Sequence, residues 1–257
     1  MTIRVAVVLV THDSERDLPE TLASIANQTK APDAVIAIDD ASQDATPTLL
    51  VTAGFWVVKA TSQARDTRTR IAHNFTQGVL TAARAGSDLI VLGDHDDVWH
   101  SDRLAHQVEL LQRNPWVAMV ASDGYLIDDN SVAEPGTIRE SFPIPDDFAN
   151  WPHRKQMTYG LRHSLATGGA SAIRFSALAD WSVPSGWLHD RWWSLLALQQ
   201  RALLIDPIPV IDYRLSAAQQ VGLDTANQEH GAVWALGKVR DLARTGRRSR
   251  DVIRLVR

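Results

Sequence analysis

The sequence predicts an α/β protein built on a doubly wound, mostly parallel sheet with helices on both faces. Two observations carry that expectation. Apolar runs alternate with amphipathic helical periods from residue 3 to residue 121. The runs are nearly all apolar, as strands buried on both faces must be. A third observation sharpens it: two of the runs end in paired or clustered aspartates, at the strand ends where open α/β sheets gather ligands.

The elements follow in order. Ile3 to Val10 reads as a central strand. Ser14 can cap a helix whose face is Leu18, Leu22 and Ile25. Val35 to Ile38 is a second buried strand ending at Asp39-Asp40. Asp44 or Ser42 caps a short helix closed by Gly54, and Phe55 to Val58 is a third strand. A polar, Arg-rich loop runs from Thr61 to Arg70. Ile71, Phe75 and Val79 line the next helix, which Gly86 ends. Leu89 to Leu92 is a fourth strand and delivers Asp94, Asp96 and Asp97. Leu104, Val108 and Leu111 mark a helix stopped by Asn114-Pro115, and Val117 to Ala121 is a further strand.

The character then changes. Residues 130 to 153 are rich in Pro, Asp and Asn and read as a long loop. From Lys155 onward the signals mix, except for a helix carrying Leu188, Trp192, Leu195 and Leu196. Residues 223–257 read as a basic helical tail, with Lys238, Arg240, Arg244, Arg247 and Arg248 among its cations. No linker divides the rest, so 1–222 is expected to be one domain with halves at 1–122 and 123–222.

Composition excludes several classes. The 257 residues are 45% hydrophobic and 22% charged, an ordinary globular balance. A net charge of -4 carries no nucleic-acid signature. No cysteine is present, which removes disulfides, thiolate metal sites and cysteine nucleophiles. No window approaches the ~20 apolar residues of a membrane helix. Met1-Thr-Ile-Arg-Val shows no signal-peptide design, so a cytoplasmic location is expected. The chain also lacks G-x-G-x-x-G after its first strand, a P-loop, a G-x-S-x-G elbow and zinc-type histidine spacing.

Three acidic sites are left. Asp94, Asp96 and Asp97 pack like charges that a cation can offset, and all-oxygen ligands suit Mg²⁺ or Mn²⁺. The plainer alternative is a polar turn capping the next helix. Asp39 and Asp40 can accept the imide N–H of a uracil or thymine base, or ribose hydroxyls; the alternative is a helix cap. His189-Asp190 opens a helix, where Asp190 is either a cap favoured by the dipole or a general base. Gly168-Gly169 permits close backbone approach to a ligand, or a tight turn. Trp99, Trp151, Trp181 and Trp187 lie outside obvious core periodicity and are either sugar platforms or core.

In order, these residues resemble family 2 glycosyltransferases of the GT-A fold. Val8-Leu-Val-Thr11-His12-Asp13 resembles the first strand end, and Leu22-Ala-Ser-Ile-Ala-Asn-Gln28-Thr29 the helix after it. Asp39-Asp40-Ala-Ser42-Gln-Asp44-Ala-Thr46 resembles the base-binding segment, and Asp94-His-Asp96-Asp97-Val-Trp99 the D-x-D-D metal motif. Thr167-Gly168-Gly169 resembles the acceptor-side glycines, His189-Asp190 the catalytic-base position, and Tyr213-Arg214 with Val221-Gly222 a C-terminal element. With Asn74-Phe75 upstream and Trp99 after it, the metal motif is most similar to bacterial rhamnosyltransferase-like members.

The resemblance implies an inverting glycosyltransferase that takes a nucleotide-diphosphate sugar, such as a dTDP-rhamnose or UDP-sugar, with Mg²⁺ or Mn²⁺. Its acceptor would be a saccharide or lipid-linked hydroxyl in bacterial cell-envelope polysaccharide or glycolipid synthesis. Thr11, Asp13, Asp39, Asp40 and Asp94 would bind the donor nucleotide in the 1–122 half. Asp96, with Asp94 and Asp97, would hold the metal. Asp190 would be the base, and Gly168, Gly169, Trp187 and His189 would lie on the acceptor side in the 123–222 half. Two departures stand out. The loop at residues 61–70 does not show which arginine meets the diphosphate. Leu215-Ser216-Ala217-Ala218 lacks the histidine that usually follows the Tyr-Arg pair near the metal. A catalytically degenerate nucleotide-binding or scaffold protein is the alternative; a nucleotidyltransferase would carry a basic Gly-rich loop that Thr11-His-Asp-Ser-Glu lacks. The basic tail is either a solvated helix or a patch on anionic lipid, placing the protein peripherally at the inner face of the plasma membrane.

Overall fold

A computed structural model describes residues 3–216. The predicted tail at 223–257 and the Val221-Gly222 element lie outside the described residues. Nine strands and seven α-helices are arranged in the order β1 (Val5–Thr11), α1 (Leu18–Ala26), β2 (Ala34–Asp39), α2 (Thr46–Thr52), β3 (Trp56–Lys59), α3 (Thr67–Arg84), β4 (Leu89–Asp94), β5 (Val98–Trp99), α4 (Arg103–Arg113), β6 (Met119–Ile127), β7 (Ala133–Thr137), α5 (Ile138–Ser141), α6 (His153–Gly160), β8 (Ser171–Arg174), α7 (His189–Gln199) and β9 (Leu203–Arg214).

Among the described residues all strands join one sheet in the order β3-β2-β1-β4-β8-β6-β9-β5, with β7 paired to β6. β3, β2, β1 and β4 are parallel neighbours. Beyond β4 the expected doubly wound, mostly parallel pattern fails. β8 inserts antiparallel between β4 and β6, β5 runs antiparallel to β9, and β6 and β9 are parallel. The sheet is mixed. β8 is four residues long and β9 contains Pro207 and Pro209, so neither shows a readable strand period. The register of β6 against β9 shifts between Ala121 and Gly124, beside those prolines.

The alternation of β1 shows why helices cover both faces. Ala6, Val8 and Val10 point into a core with Phe75, Val79 and Ala82 of α3 and Trp192, Trp193 and Leu195 of α7. Val5, Val7 and Leu9 point the other way, onto Leu18, Leu22 and Ile25 of α1, Leu50 of α2, and Leu104, Val108 and Leu111 of α4. Burying each such side chain contributes about 1.5–3 kcal/mol relative to exposure. Among the described residues no helix is long and apolar enough to cross a membrane.

Several boundaries move for local reasons. Ser14 does not cap α1; its hydroxyl accepts from the His12 N–H, while its carbonyl accepts from Leu18 N–H. Asp44 does act at the start of α2, accepting from Thr46 N–H at 2.9 Å. The polar loop ends at Asp66, which caps α3 through Thr69 N–H. The expected loop at residues 130–153 is largely structured. Thr137 and Glu140 form a capping box that starts α5, and β7 folds back on β6.

Candidate active site

Parallel register brings three polar strand ends together. Thr11 pairs with Asp39 across β1 and β2, and Val10 pairs with Asp94 across β1 and β4. On the β2 side Asp39 is buried and satisfied within the fold. It accepts from Ser42 Oγ at 2.6 Å, Thr11 Oγ1 at 3.3 Å and Ser42 N–H at 3.2 Å. Asp13 adopts φ 44° and accepts from Gln43 N–H at 2.7 Å, which ties the β1 turn to the β2 turn. Asp40 accepts from Arg70 Nε at 2.7 Å. Of the arginines at residues 65–70, Arg70 is therefore the one placed at this corner, from the first turns of α3; Arg65 is exposed.

The β4 side is different. Asp96 and Asp97 are buried and Asp94 half-buried. Burial, then the charges of Asp96 and Asp190, push the Asp94 carboxyl up to about 7. Burial, then Asp96 and Asp94, hold Asp97 well above the usual carboxylate range. Asp97 Oδ1 accepts from Arg214 N–H at 3.2 Å, but its Oδ2 is buried with no hydrogen-bond partner.

Arg103 is the local counter-charge, and it was not legible as one. It is fully buried, with its guanidinium 3.7 Å over the Trp99 ring, and donates to the Leu92 carbonyl at 2.6 Å and to Gln107 Oε1 at 3.3 Å. Burial lowers its pKa to about 9 despite the opposing pull of Asp97 and Asp94, so it stays cationic at neutral pH. The signal was present: Arg103 and Gln107 lie at i and i+4, on the same buried stripe as Leu104, Val108 and Leu111. Tyr213 is buried opposite. Desolvation, then Asp97, Asp94, Asp96 and Asp190 in turn, keep its hydroxyl well above its usual pKa and therefore protonated.

Gly168 and Gly169 join the two halves. Gly168 N–H donates to Asp190 Oδ2 at 3.2 Å, while Gly169 lies hard against the Asp94 and Asp97 carboxylates. Neither position has room for a side chain. A Cβ on Gly169 would lie 2.5 Å from Asp97 Oδ2 and 2.8 Å from Asp94 Oδ2; one on Gly168 would lie 2.5 Å from His189 Nε2. The glycines thus make a close approach to the protein's own carboxylates. Asp190 also accepts from Arg191 N–H at 2.6 Å. Burial raises its pKa, against lowering by the Arg191 amide and charge.

His189 is buried and stacked on Phe75, centroids 3.7 Å apart, with Trp193 at its edge. Burial lowers its pKa to about 3, so it is neutral and supports the Gly168 turn from below. Trp187 is also buried, edge-on to Trp192. Trp99 and Trp181 are core as well. These rings shape the site from within and offer no open platform.

Asp94 feels the charges of Asp96 and Asp190, the cations beside this group are Arg103, Arg191 and Arg214, and Asp97 carries an unpartnered buried oxygen. That donor set fits an oxygen-preferring divalent cation. Among the described residues no three His, Cys, Asp or Glu side chains already converge on one metal position. A Mg²⁺ or Mn²⁺ held through Asp94, Asp96 and Asp97 would therefore complete its shell with substrate phosphates and water.

A mixed sheet flanked by helices, with a carboxylate site at its parallel strand ends, defines an α/β fold of the GT-A type. The chain belongs to glycosyl transferase family 2, whose family model matches residues 6–181. Among solved structures it is similar to glucosyl-3-phosphoglycerate synthase from Mycobacterium tuberculosis, in complex with Mn²⁺, UDP and glucosyl-3-phosphoglycerate. The TM-score is 0.57 at 17% identity, over 83% of this chain and 73% of that one. It is similar to S. aureus TarS residues 1–349 in complex with UDP, with TM-score 0.57 and 16% identity over 83% of this chain and 61% of that one. A mycobacterial protein gives 0.58 at 22% identity, over 84% and 69%. At these identities the likeness is one of fold. No curated protein matches the chain significantly. The narrower resemblance to rhamnosyltransferases finds no counterpart among these structures.

Proposed function

We propose that this protein is an inverting glycosyltransferase that moves a sugar from a nucleotide-diphosphate donor to a hydroxyl acceptor. The observation that carries this reading is the junction at Gly168-Gly169, where the Gly168 amide donates to Asp190 and Gly169 packs against Asp94 and Asp97. One backbone turn thereby fixes a proton acceptor beside a carboxylate cluster suited to a metal-diphosphate.

The corner of Thr11, Asp13, Asp39 and Asp40 receives the nucleotide, with Asp40 on the base and Asp39 holding the turn. Residues 1–122 form the donor half and residues 123–222 the acceptor half. Asp94, Asp96 and Asp97 hold Mg²⁺ or Mn²⁺, which when bound neutralises charge on the leaving diphosphate. Asp190 takes the proton of the acceptor hydroxyl as the new C–O bond forms at the anomeric carbon. The bond to the diphosphate oxygen breaks on the opposite face, so the anomeric configuration inverts. A raised pKa suits Asp190 to this task, because a base works best when its pKa lies near the working pH. The Tyr213 hydroxyl faces the same carboxylates as a protonated group able to donate to them. The Mn²⁺ and UDP of the M. tuberculosis structure, and the UDP of the TarS structure, favour a uridine-diphosphate donor.

The test is thermal stabilisation by a panel of nucleotide diphosphates with Mn²⁺, Mg²⁺ or chelator. Ligand at 100 times its dissociation constant adds ~2.7 kcal/mol. We expect a metal-dependent shift with one pyrimidine diphosphate, lost in Asp96→Ala. No shift with any nucleotide, or equal binding in Asp96→Ala, would sink the donor site. A degenerate binding protein is the second reading, favoured by the lack of three preconverged metal ligands among the described residues. Donor binding without turnover across an acceptor panel would select it.

A further inference from the structure

The helix that brings Arg70 to Asp40 also carries the segment that leads into Asp190. Arg70 Nε meets Asp40 from the start of α3. The residue before it, Thr69, is buried and reaches a different part of the chain. Thr69 Oγ1 donates to Asp66 Oδ2 at 2.6 Å, accepts from the Gly186 N–H at 2.9 Å, and lies 3.3 Å from Ser185 Oγ. A hydroxyl offers one proton and two lone pairs, so these three contacts use all of it.

The turn that Thr69 holds is a pliant one. Gly186 sits at φ 83°, and a Cβ there would meet nothing within 4 Å. The two ends of the segment rest on α3 as well. Thr76 Oγ1 is 3.2 Å from the Trp181 carbonyl, and the His189 ring stacks on Phe75 with centroids 3.7 Å apart. Thr69 thus holds the middle of the segment, on the approach to Asp190. The Asp190 carboxylate has its own partners in the Gly168 and Arg191 amides. Those contacts fix the carboxylate, whereas Thr69 fixes the chain that delivers it.

We propose that Thr69 is a positioning residue that couples nucleotide binding at Asp40 and Arg70 to the ordering of the segment before Asp190. This rests on the proposed roles of Asp40 and Asp190. Thr69 and Arg70 are consecutive residues of one helical turn, so their backbones move together. A nucleotide held at Asp40 removes freedom from Arg70 and from the turn that bears it. The Thr69 hydroxyl passes that restraint to the Gly186 amide. The coupling is reciprocal, so a fixed segment also favours the nucleotide-bound corner.

The test is amide hydrogen exchange on the full chain, with and without UDP and Mn²⁺, read over residues 185–191. In wild type we expect the nucleotide to slow exchange there about fivefold or more. Thr69→Val keeps the shape and removes the hydroxyl. The nucleotide-dependent slowing should vanish in it, while UDP affinity stays within about threefold of wild type. Thr69→Ser restores the hydroxyl and should restore the slowing. Thr52→Val on α2, whose hydroxyl donates to the Thr48 carbonyl of its own helix, should leave the slowing unchanged. A merely structural Thr69 gives another pattern: Thr69→Val speeds exchange at 185–191 with and without nucleotide alike, and the slowing persists. That pattern overturns the proposal, as does a Thr69→Ser protein that behaves like Thr69→Val. If Thr69→Val loses its thermal transition, Thr69→Ala, which sets no γ-methyl against the Gly186 amide, supplies the comparison. UDP that binds wild type without slowing exchange at 185–191 sinks the coupling alone. UDP that does not bind at all sinks the uridine-diphosphate donor and the coupling with it.

Discussion

Asp39-Asp40 and Asp96-Asp97 look alike in sequence, two acidic pairs just past buried parallel strands. In the fold they differ. Asp39 uses both oxygens on Thr11 and Ser42, and Asp40 meets Arg70. Asp96 and Asp97 are buried together near Asp94, beside the buried Arg103 and Arg214, with an Asp97 oxygen left over. Partners decide what an aspartate pair is for. The satisfied pair builds a corner; the unsatisfied cluster holds charge that a ligand can neutralise.

The largest effect expected on this contrast is at Asp190. Asp190→Asn keeps the shape and removes the base, so turnover should fall by about 10²–10⁴ while donor affinity holds. Pre-steady-state and equilibrium binding measurements separate the two, and wild-type turnover in this variant would end the assignment. Gly169→Ala comes next. Its methyl meets Asp97 and Asp94 at under 3 Å, so we expect a loss of about 1–3 kcal/mol in denaturant unfolding, together with weaker donor binding. Unchanged stability would show that the carboxylates are free to move apart.

Proton linkage gives a third handle. Asp94 binds its proton more tightly folded, at about 7, than at its ordinary 3.8. Its contribution is therefore fully present below about pH 4 and is lost as pH rises through about 7. In chelator, the thermal midpoint should decline across that window more in wild type than in Asp94→Asn. Equal slopes would mean that Asp94 is already ionised in the folded state. The smallest effect is expected at the satisfied corner. Asp39→Asn should cost about 1–2 kcal/mol in unfolding through lost charge-assisted hydrogen bonds. If Asp39→Asn instead abolished metal dependence and left stability intact, the two pairs would have exchanged roles.

The parallel half of the fold was legible because β1, β2 and β4 are continuous apolar runs and α1, α3 and α4 have clean faces. The antiparallel half was not. Ser171–Arg174 is too short to show a period, and the prolines of β9 hide a twelve-residue strand. The order of aspartates pointed to the candidate site and carried the resemblance to family 2 glycosyltransferases, and the chain's membership of glycosyl transferase family 2 is shown by its family model. What sequence could not give was distance: that Gly168 meets Asp190 while Gly169 packs against Asp94 and Asp97, that Arg70 is the arginine at Asp40, and that His189 faces inward, neutral. Arg103 was hidden because a buried arginine on an apolar stripe looks like a surface residue until its neighbours are known.

Arg214 ties the last described strand to the carboxylate loop and to the first helix. Its guanidinium, 1% exposed, donates to the Asp96 carbonyl at 2.8 Å and reaches Glu20 at 2.6 Å across 194 residues of chain. Contacts of that span close late, after local helices and the first strands have formed. A nascent chain that has emerged only as far as α7 already has Asp94, Asp96, Asp97 and Asp190 in hand, but not the strand that clamps their loop to the first helix. The Asp39–Asp40 corner, built from β1 and β2, is thus independent of the end of the described chain, whereas the Asp96–Asp97 loop depends on β9 for its clamp.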